Sequence, residues 1–296
     1  MKSVVFIFID GLGLGSENPE INPCLDSNIH IFSSYNRNKD KISVLKNGFC
    51  LPTDATLGTR GLPQSATGTA TLLTGINCAK ELKKHIPGFP TNNLIEIIQK
   101  ESILKKVNQK NLSSNFINAY RPLFFKLKEK TKWRLSTTTV ANLAAGNSFY
   151  SLKDIEKHTS IYHDYTNRHL IKRGFNVPVF SSDEAAKILA AASDKYNLVV
   201  YEYFLTDRAG HNQNMKEAVQ ILVQIEKFII TLIDFLNFRD KLLIVSSDHG
   251  NIEDLSVKTH TRNYVGTYVW GDKSERYISD INDLTDISKI IMKFLS

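Results

Sequence analysis

The sequence has few cysteines and no long apolar run, and each shortage excludes a class of protein. The three cysteines, Cys24, Cys50 and Cys78, are odd in number and far apart. We therefore expect neither a disulfide framework nor a Cys-x-x-Cys zinc site, and a reducing compartment fits best. The apolar residues 4–9 end at Asp10, which makes them too short for the apolar region of a secretory signal.

No stretch approaches the roughly 20 apolar residues of a membrane span. With no membrane partner and no address signal, we expect a cytoplasmic protein. Hydrophobic residues make up 42% of the chain and charged residues 23%, which excludes a disordered or low-complexity protein. At 296 residues, the chain is long enough for two domains or for one domain with an insertion.

Positive charge is concentrated in one part of the chain. The net charge is +7, yet residues 80–134 alone contain eleven lysines and two arginines against four glutamates. A positive surface favours anionic partners, such as nucleic acid, anionic lipid or phosphorylated metabolites.

Three short runs rich in β-branched or aromatic residues predict buried parallel strands, at residues 4–9, 198–205 and 242–246. Helical periodicity over residues 215–238, a capped helix beginning at Ser182 and a C-terminal helix over residues 284–295 complete the pattern. The sequence therefore predicts an α/β fold with a mostly parallel sheet flanked by helices. Prolines and glycines border residues 86–182, which hold most of the positive charge. We interpret them as a smaller inserted cap domain on a core of residues 1–85 and 183–296.

Polar side chains follow each predicted strand, where ligands of an open parallel sheet bind. Asp10 follows the first strand and Asp207 and His211 the second; Asp248 and His249 follow the third, with His260 shortly after. Carboxylates brought together cannot remain unpaired at low cost, and a divalent cation removes the repulsion. Mixed carboxylate and imidazole ligands suit zinc or manganese, and this number of donors is enough for two ions.

Two metal ions about 4 Å apart can clamp the attacking and leaving oxygens of a phosphoryl transfer, and that reaction also needs a nucleophile. Residues 62–71 place hydroxyl groups before small residues that begin a helix, whose free N–H groups can receive phosphate. Ser65, Thr67 and Thr69 compete for the role, and spacing alone does not choose between them.

The order of these motifs resembles the alkaline phosphatase superfamily, on the branch of the cofactor-independent phosphoglycerate mutases and phosphopentomutases. The matching pieces are Asp10-Gly11-x-Gly13, Ser65-x-x-Gly68, Asp207-x-x-Gly210-His211, Asp248-His249-Gly250-Asn251-x-Glu253 and His260-Thr261-x-Asn263-x-Val265. The resemblance covers roughly residues 1–80 and 183–296 and implies an alkaline-phosphatase-like core.

The resemblance also implies roles for the residues. Ser65 would be the nucleophile and would accept the phosphoryl group as a phosphoserine. One metal ion would be held by Asp207, His211 and His260, and the other by Asp10, Asp248 and His249 together with Ser65. Two departures matter, because the mutases have a His at the position of Thr69 and because the predicted cap is closer in size to that of the phosphopentomutases.

Several cap residues combine phosphate-binding and hydrogen-bonding side chains with aromatics, as a substrate-facing surface would. The candidates are Asn118, Arg121, Arg134, His163, Asp164 and Arg168. We expect a two-metal enzyme that acts through a phosphoserine on a small phosphorylated metabolite, as a phosphomutase or a phosphomonoesterase. One alternative is a phosphodiesterase or sulfatase of the same superfamily. The other is a catalytically retired protein whose basic segment binds nucleic acid; under the main hypothesis we expect no nucleic-acid partner.

Overall fold

The computed structural model describes residues 1–34, 42–272 and 274–296, and a single sheet organises them. Seven strands lie in the spatial order β2-β3-β7-β6-β1-β5-β4. Their bounds are Ser3–Ile9 (β1), Ile42–Val44 (β2), Gly48–Thr53 (β3), Ser114–Phe116 (β4), Leu198–Tyr203 (β5), Lys241–Ser247 (β6) and Val265–Gly271 (β7).

The centre of the sheet is parallel, and the N-terminal strand lies in its middle. Val4 of β1 pairs with Leu198 of β5 on one side and with Leu242 of β6 on the other, and both pairings are parallel. Every residue of β1 is buried, which explains its continuous apolar sequence. Strands β7, β3 and β2 extend the sheet in antiparallel pairings. The predicted α/β class is confirmed, but the sheet is not mostly parallel, because three of the six strand pairings among the described residues are antiparallel.

Helices cover both faces of the sheet and bury two apolar layers against it. Their bounds are Ser65–Thr74 (α1), Cys78–Glu81 (α2), Asn92–Glu101 (α3), Ile103–Gln109 (α4), Pro122–Phe125 (α5), Glu129–Lys132 (α6), Thr137–Ala144 (α7), Leu152–Glu156 (α8), Arg168–Ile171 (α9), Ser182–Lys195 (α10), Leu205–Asn212 (α11), Met215–Phe235 (α12), Glu275–Ile278 (α13) and Thr285–Leu295 (α14). The second predicted strand ends earlier than expected, because Leu205 already belongs to α11.

A separate cap over residues 86–182 is not confirmed. This segment supplies β4 to the same sheet, where Phe116 pairs with Val200 of β5. Its Leu94 and Ile98 are fully buried in the same apolar layer as α1. The proline and glycine borders and the positive charge that suggested an insertion mark loops and exposed faces, whereas the apolar side chains of the segment join the common core.

Within the described residues, we find no helix with the length and apolar character required to cross a membrane. The cysteines Cys24, Cys50 and Cys78 are all buried and unpaired.

Candidate metal centre

The structure brings all six predicted Asp and His side chains to the carboxyl edge of the parallel strands. Asp10 follows β1, Asp248 and His249 follow β6, and α11, which begins after β5, supplies two more. They form two triads whose ligand atoms lie within 4.8 Å of one another. We name these the first triad (Asp207, His211 and His260) and the second triad (Asp10, Asp248 and His249).

The first triad has both imidazoles aimed at one carboxylate. Nε2 of His211 and Nε2 of His260 each lie 3.4 Å from an oxygen of Asp207. Their Nδ1 atoms donate to backbone carbonyls, of Lys258 at 2.6 Å and of Pro63 at 2.9 Å. A carbonyl can only accept, so each Nδ1 carries the proton and each Nε2 presents its lone pair. This orientation is typical of metal-ligating histidines.

The carboxylate of the first triad is held by a neighbouring loop. The side-chain amide of Asn251 donates to Asp207 Oδ1 at 2.7 Å and to the Asp207 carbonyl at 3.1 Å. Burial raises the pKa of Asp207, but the hydrogen bond with His260 and the other partners outweigh it and lower the pKa to about 2. Asp207 is therefore ionised and ready to bind a cation.

The second triad is more deeply buried. Asp248 and His249 are fully enclosed, and His249 Nε2 lies 3.2 Å from Asp10 Oδ1 and 3.7 Å from Asp248 Oδ2. Burial raises the pKa of Asp248 well above its usual value. Burial alone lowers the pKa of His249, but the two neighbouring carboxylates raise it to about 10. The triad thus requires positive charge to keep its carboxylates ionised.

Divalent cations fit this donor set. Asp10 Oδ1 is buried, and among the described residues it has no polar partner apart from the nearby His249 imidazole, which is costly for a carboxylate oxygen unless a cation binds it. In the described part of the chain, the carboxylates of both triads form ion pairs only with imidazoles, and no lysine or arginine pairs with them. The two triads also touch, since the rings of His249 and His260 stack with centroids 3.7 Å apart. Two cations held in this way would be neighbours.

The structure distinguishes between the three candidate hydroxyl groups. Ser65 begins α1, and its Oγ lies 2.9 Å from His249 Nε2. Ser65 also lines a cavity of about 410 Å³ together with Asp207, His211 and His260. Thr67 is buried and donates to the Gln64 carbonyl. Ser65 is therefore the hydroxyl group that faces both the cavity and the two triads.

Thr69 serves the site in another way. Its hydroxyl group is buried and donates to Asp248 Oδ2 at 3.0 Å. The other oxygen of that carboxylate accepts from the backbone N–H of Gly11 at 3.3 Å. Thr69 therefore orients a ligand of the second triad.

The first N–H groups of α1 are not free to receive phosphate, contrary to the expectation from sequence. The N–H groups of Ala66 and Thr67 both donate to the Ile86 carbonyl, at 3.1 and 3.4 Å. Helix α1 instead packs closely on the loop after β6: a Cβ at Gly68 would lie 2.5 Å from the Asp248 carbonyl oxygen. The glycine of the Ser65-x-x-Gly68 motif thus allows the nucleophile helix to reach the second triad.

The predicted substrate-binding residues divide into two groups. Asn118, Arg121 and His163 line a second cavity, described below. Asp164 is buried and accepts from the His169 N–H at the start of α9, so it acts as a helix cap.

The other two predicted substrate-binding residues are not brought to the triads. Arg168 lines a different cleft, with α12, and among the described residues Arg134 lines none of the cavities near the triads. Both belong to exposed basic faces, which sequence cannot distinguish from a binding surface.

Glu253 is a buried residue whose role the sequence did not reveal. Its two oxygens accept from the N–H groups of Gly13 and Asn251 at 2.9 and 2.7 Å, from the Thr261 hydroxyl group at 2.5 Å and from the Asn263 amide at 3.1 Å. It ties together the three loops that carry the second triad, Asn251 and His260. Its place in the Asp248-x-x-x-x-Glu253 motif was the available signal.

The chain is similar to known proteins in sequence and in fold. Residues 152–296 match the family model described as "Metalloenzyme superfamily". A 2,3-bisphosphoglycerate-independent phosphoglycerate mutase of Francisella tularensis subsp. novicida is 29% identical over 128 residues, which are 40% of this chain and 25% of that protein. A protein of the same name from Gloeothece citriformis is 33% identical over 78 residues, 26% of this chain and 15% of the relative. The chain thus aligns with a quarter or less of the length of these relatives.

Two solved structures share the fold over nearly the whole chain. The PH0037 protein from Pyrococcus horikoshii matches with a TM-score of 0.60 and 14% identity, covering 99% of this chain and 96% of that one. Alkaline phosphatase from the Antarctic bacterium TAB5 matches with a TM-score of 0.56 and 15% identity, covering 99% and 98%. The predicted alkaline-phosphatase-like fold is confirmed.

Proposed function

Because the chain matches the metalloenzyme superfamily over residues 152–296, we propose that it is a two-metal phosphoryl-transfer enzyme. It acts through a phosphoserine on Ser65, on a small phosphorylated metabolite. The observation that carries the proposal is the position of the Ser65 hydroxyl group, 2.9 Å from His249 Nε2 and in one cavity with the first triad. A nucleophile beside two sets of metal ligands is an arrangement suited to two-metal phosphoryl transfer.

The first triad and the second triad would each hold one divalent cation, Mn²⁺ or Zn²⁺. Such ions lower the pKa of a bound hydroxyl group and neutralise charge on a phosphoryl group when they are bound. The chain itself positions the reacting groups. Ser65 Oγ forms a bond to phosphorus, the ester P–O bond breaks, and the proton of the hydroxyl group ends on the departing alcohol.

The second half of the reaction defines the activity. If water attacks the phosphoserine, inorganic phosphate leaves and the enzyme is a phosphomonoesterase. If another hydroxyl group of the bound product attacks it, the phosphoryl group moves within the molecule and the enzyme is a phosphomutase. The site lies in an open cavity with exposed His211, and this access for water favours hydrolysis.

Ser65→Ala provides the test, with Ser256→Ala, an exposed loop serine, as the matched control. We expect protein loaded with Mn²⁺ or Zn²⁺ to hydrolyse or isomerise phosphomonoesters and, after rapid quenching, to carry one phosphoryl group on Ser65. Ser65→Ala should lose turnover and the phosphoryl group while still binding close to two metal ions, because six ligands remain. Turnover at the level of the control, or no metal binding by the wild type, would contradict the proposal.

A further inference from the structure

A second cavity, of about 420 Å³, is lined by residues that lie next to those of the Ser65 cavity along the chain. Pro87 and Gly88 line the Ser65 cavity, and the next residue, Phe89, lines the second one. Phe204 also lines the second cavity and immediately precedes α11, which carries Asp207. We take the two cavities to be within reach of one substrate molecule whose phosphate group lies at Ser65.

The walls of this cavity are mainly apolar. Aromatic and aliphatic side chains contributed by several segments surround it, among them Phe89, Phe116, Leu123, Phe124, Leu135 and Phe204. The volume is ample for a ring system, since an apolar cavity of about 150 Å³ already holds benzene.

The hydroxyl groups in the wall are already engaged with one another. The Tyr120 hydroxyl group lies 2.8 Å from Thr139 Oγ1, and Ser136 Oγ lies 2.8 Å from the same atom. Glu202 Oε2 accepts from the Thr138 hydroxyl group at 2.7 Å. These hydroxyl groups thus satisfy one another and offer few partners to a polyhydroxylated ligand. The polar side chains of Asn118, Arg121 and His163 complete the lining.

Two large apolar side chains of the lining are exposed to solvent. Phe89 is 65% exposed and Leu123 is 67% exposed. Since these two side chains belong to the lining of the cavity, a ligand seated there would cover apolar surface that is otherwise in water.

We propose that this cavity binds a ring-sized apolar group esterified to the phosphate. The substrate class is then the phosphomonoesters of aromatic or cyclic apolar alcohols, rather than small phosphorylated polyhydroxy acids or sugars. This inference rests on the proposed function, because it takes the phosphate group to lie at Ser65. It also favours hydrolysis over isomerisation, because an apolar alcohol with a single hydroxyl group has no second position to receive the phosphoryl group.

Steady-state kinetics on the metal-loaded enzyme test the inference. We expect kcat/KM for 1-naphthyl phosphate to exceed that for glycerol 2-phosphate by more than tenfold, since small apolar contacts in a pocket change kcat/KM about 10–200-fold. Leu123→Asn should lower the value for 1-naphthyl phosphate about tenfold and leave that for glycerol 2-phosphate unchanged. Phe125→Asn is the matched control: Phe125 is on the same helix and 44% exposed, but it is not in the described lining.

A binding measurement separates this inference from the proposed function. The fluorescence of 1-naphthol should change on binding to chelator-treated protein, and Leu123→Asn should weaken that binding about tenfold while Phe125→Asn does not. Binding that follows this pattern without any turnover would refute the phosphoryl-transfer proposal and leave the apolar cavity supported. Turnover of both esters at equal kcat/KM, or naphthol binding unaffected by Leu123→Asn, would overturn the inference about the cavity.

Discussion

Replacing Glu253 by Gln tests whether one buried carboxylate holds the loops of the site together. Each carboxylate oxygen accepts two hydrogen bonds: one receives Gly13 N–H and Asn251 N–H, the other Thr261 and Asn263. The amide of Gln keeps one oxygen acceptor and replaces the other by an NH₂ donor. In the better orientation the NH₂ group faces Thr261, whose hydroxyl group can rotate to accept.

The magnitude follows from counting these bonds. The Asn263 amide loses its acceptor, which costs about 1–3 kcal/mol for an unsatisfied buried donor. The two backbone N–H bonds change from charge-assisted to neutral, which weakens them by about 1 kcal/mol each. We therefore expect Glu253→Gln to lower the free energy of unfolding by about 3–5 kcal/mol. The loop after β1 packs tightly against Glu253, since a Cβ at Gly13 would lie 2.4 Å from Glu253 Oε1.

Urea denaturation followed by circular dichroism measures the change. Glu96→Gln is the control: it removes the same charge from an exposed position on α3, and we expect it to change the free energy of unfolding by less than about 0.5 kcal/mol. If Glu253→Gln falls within about 1 kcal/mol of this control, the four hydrogen bonds do not stabilise the fold, and the reasoning is refuted.

Three further predictions concern the site. Thr69→Val should weaken metal binding about 10–100-fold, as loss of partners behind metal ligands does. Thr71→Val should leave it unchanged in a calorimetric titration, because the Thr71 hydroxyl group donates to the Thr67 carbonyl and not to a triad. Burial raises the pKa of Glu202 to about 7 in the folded protein, above the ordinary 4.5. Between pH 4.5 and pH 7 the carboxyl group is therefore protonated in the folded state but ionised in the unfolded state, and the free energy of unfolding falls as the pH rises through this range. We therefore expect the difference in unfolding free energy between Glu202→Gln and the wild type to shift by about 2–3 kcal/mol in favour of the variant between pH 4.5 and pH 8. The same difference at both pH values would contradict this. Arg121→Gln should raise KM about tenfold for a phosphorylated substrate, because Arg121 lines both the apolar cavity and a basic one, and Arg134→Gln should not; equal KM values would make Arg121 a solvated residue.

The parts of the site that follow strand ends could be predicted from sequence, because a parallel sheet places its carboxyl ends at one edge. Asp10 and the Asp248-His249 pair were located in this way. The choice among three hydroxyl groups could not be made by spacing. In α1, residues 65 and 69 are four apart and share a helix face toward the triads, whereas Thr67 points away from it.

Other features depend on contacts far apart in the chain. Strand β4 has only three residues, Ser114–Phe116, which are too few for a periodic pattern. The sequence therefore did not indicate that this segment joins the sheet, and a separate cap was predicted instead. The partners of Glu253 come from residues 13, 251, 261 and 263. No local pattern indicates that these groups meet at one carboxylate.

Strand β1 is synthesised long before the two strands that flank it in the sheet. Each edge of β1 pairs with a strand made much later, β5 from residue 198 and β6 from residue 241. The first triad needs His260, and the second needs Asp248 and His249. A growing chain of about 200 residues therefore has an apolar strand with a free edge and no complete triad, so it is prone to aggregation, and neither triad can form before Asp248, His249 and His260 have been synthesised.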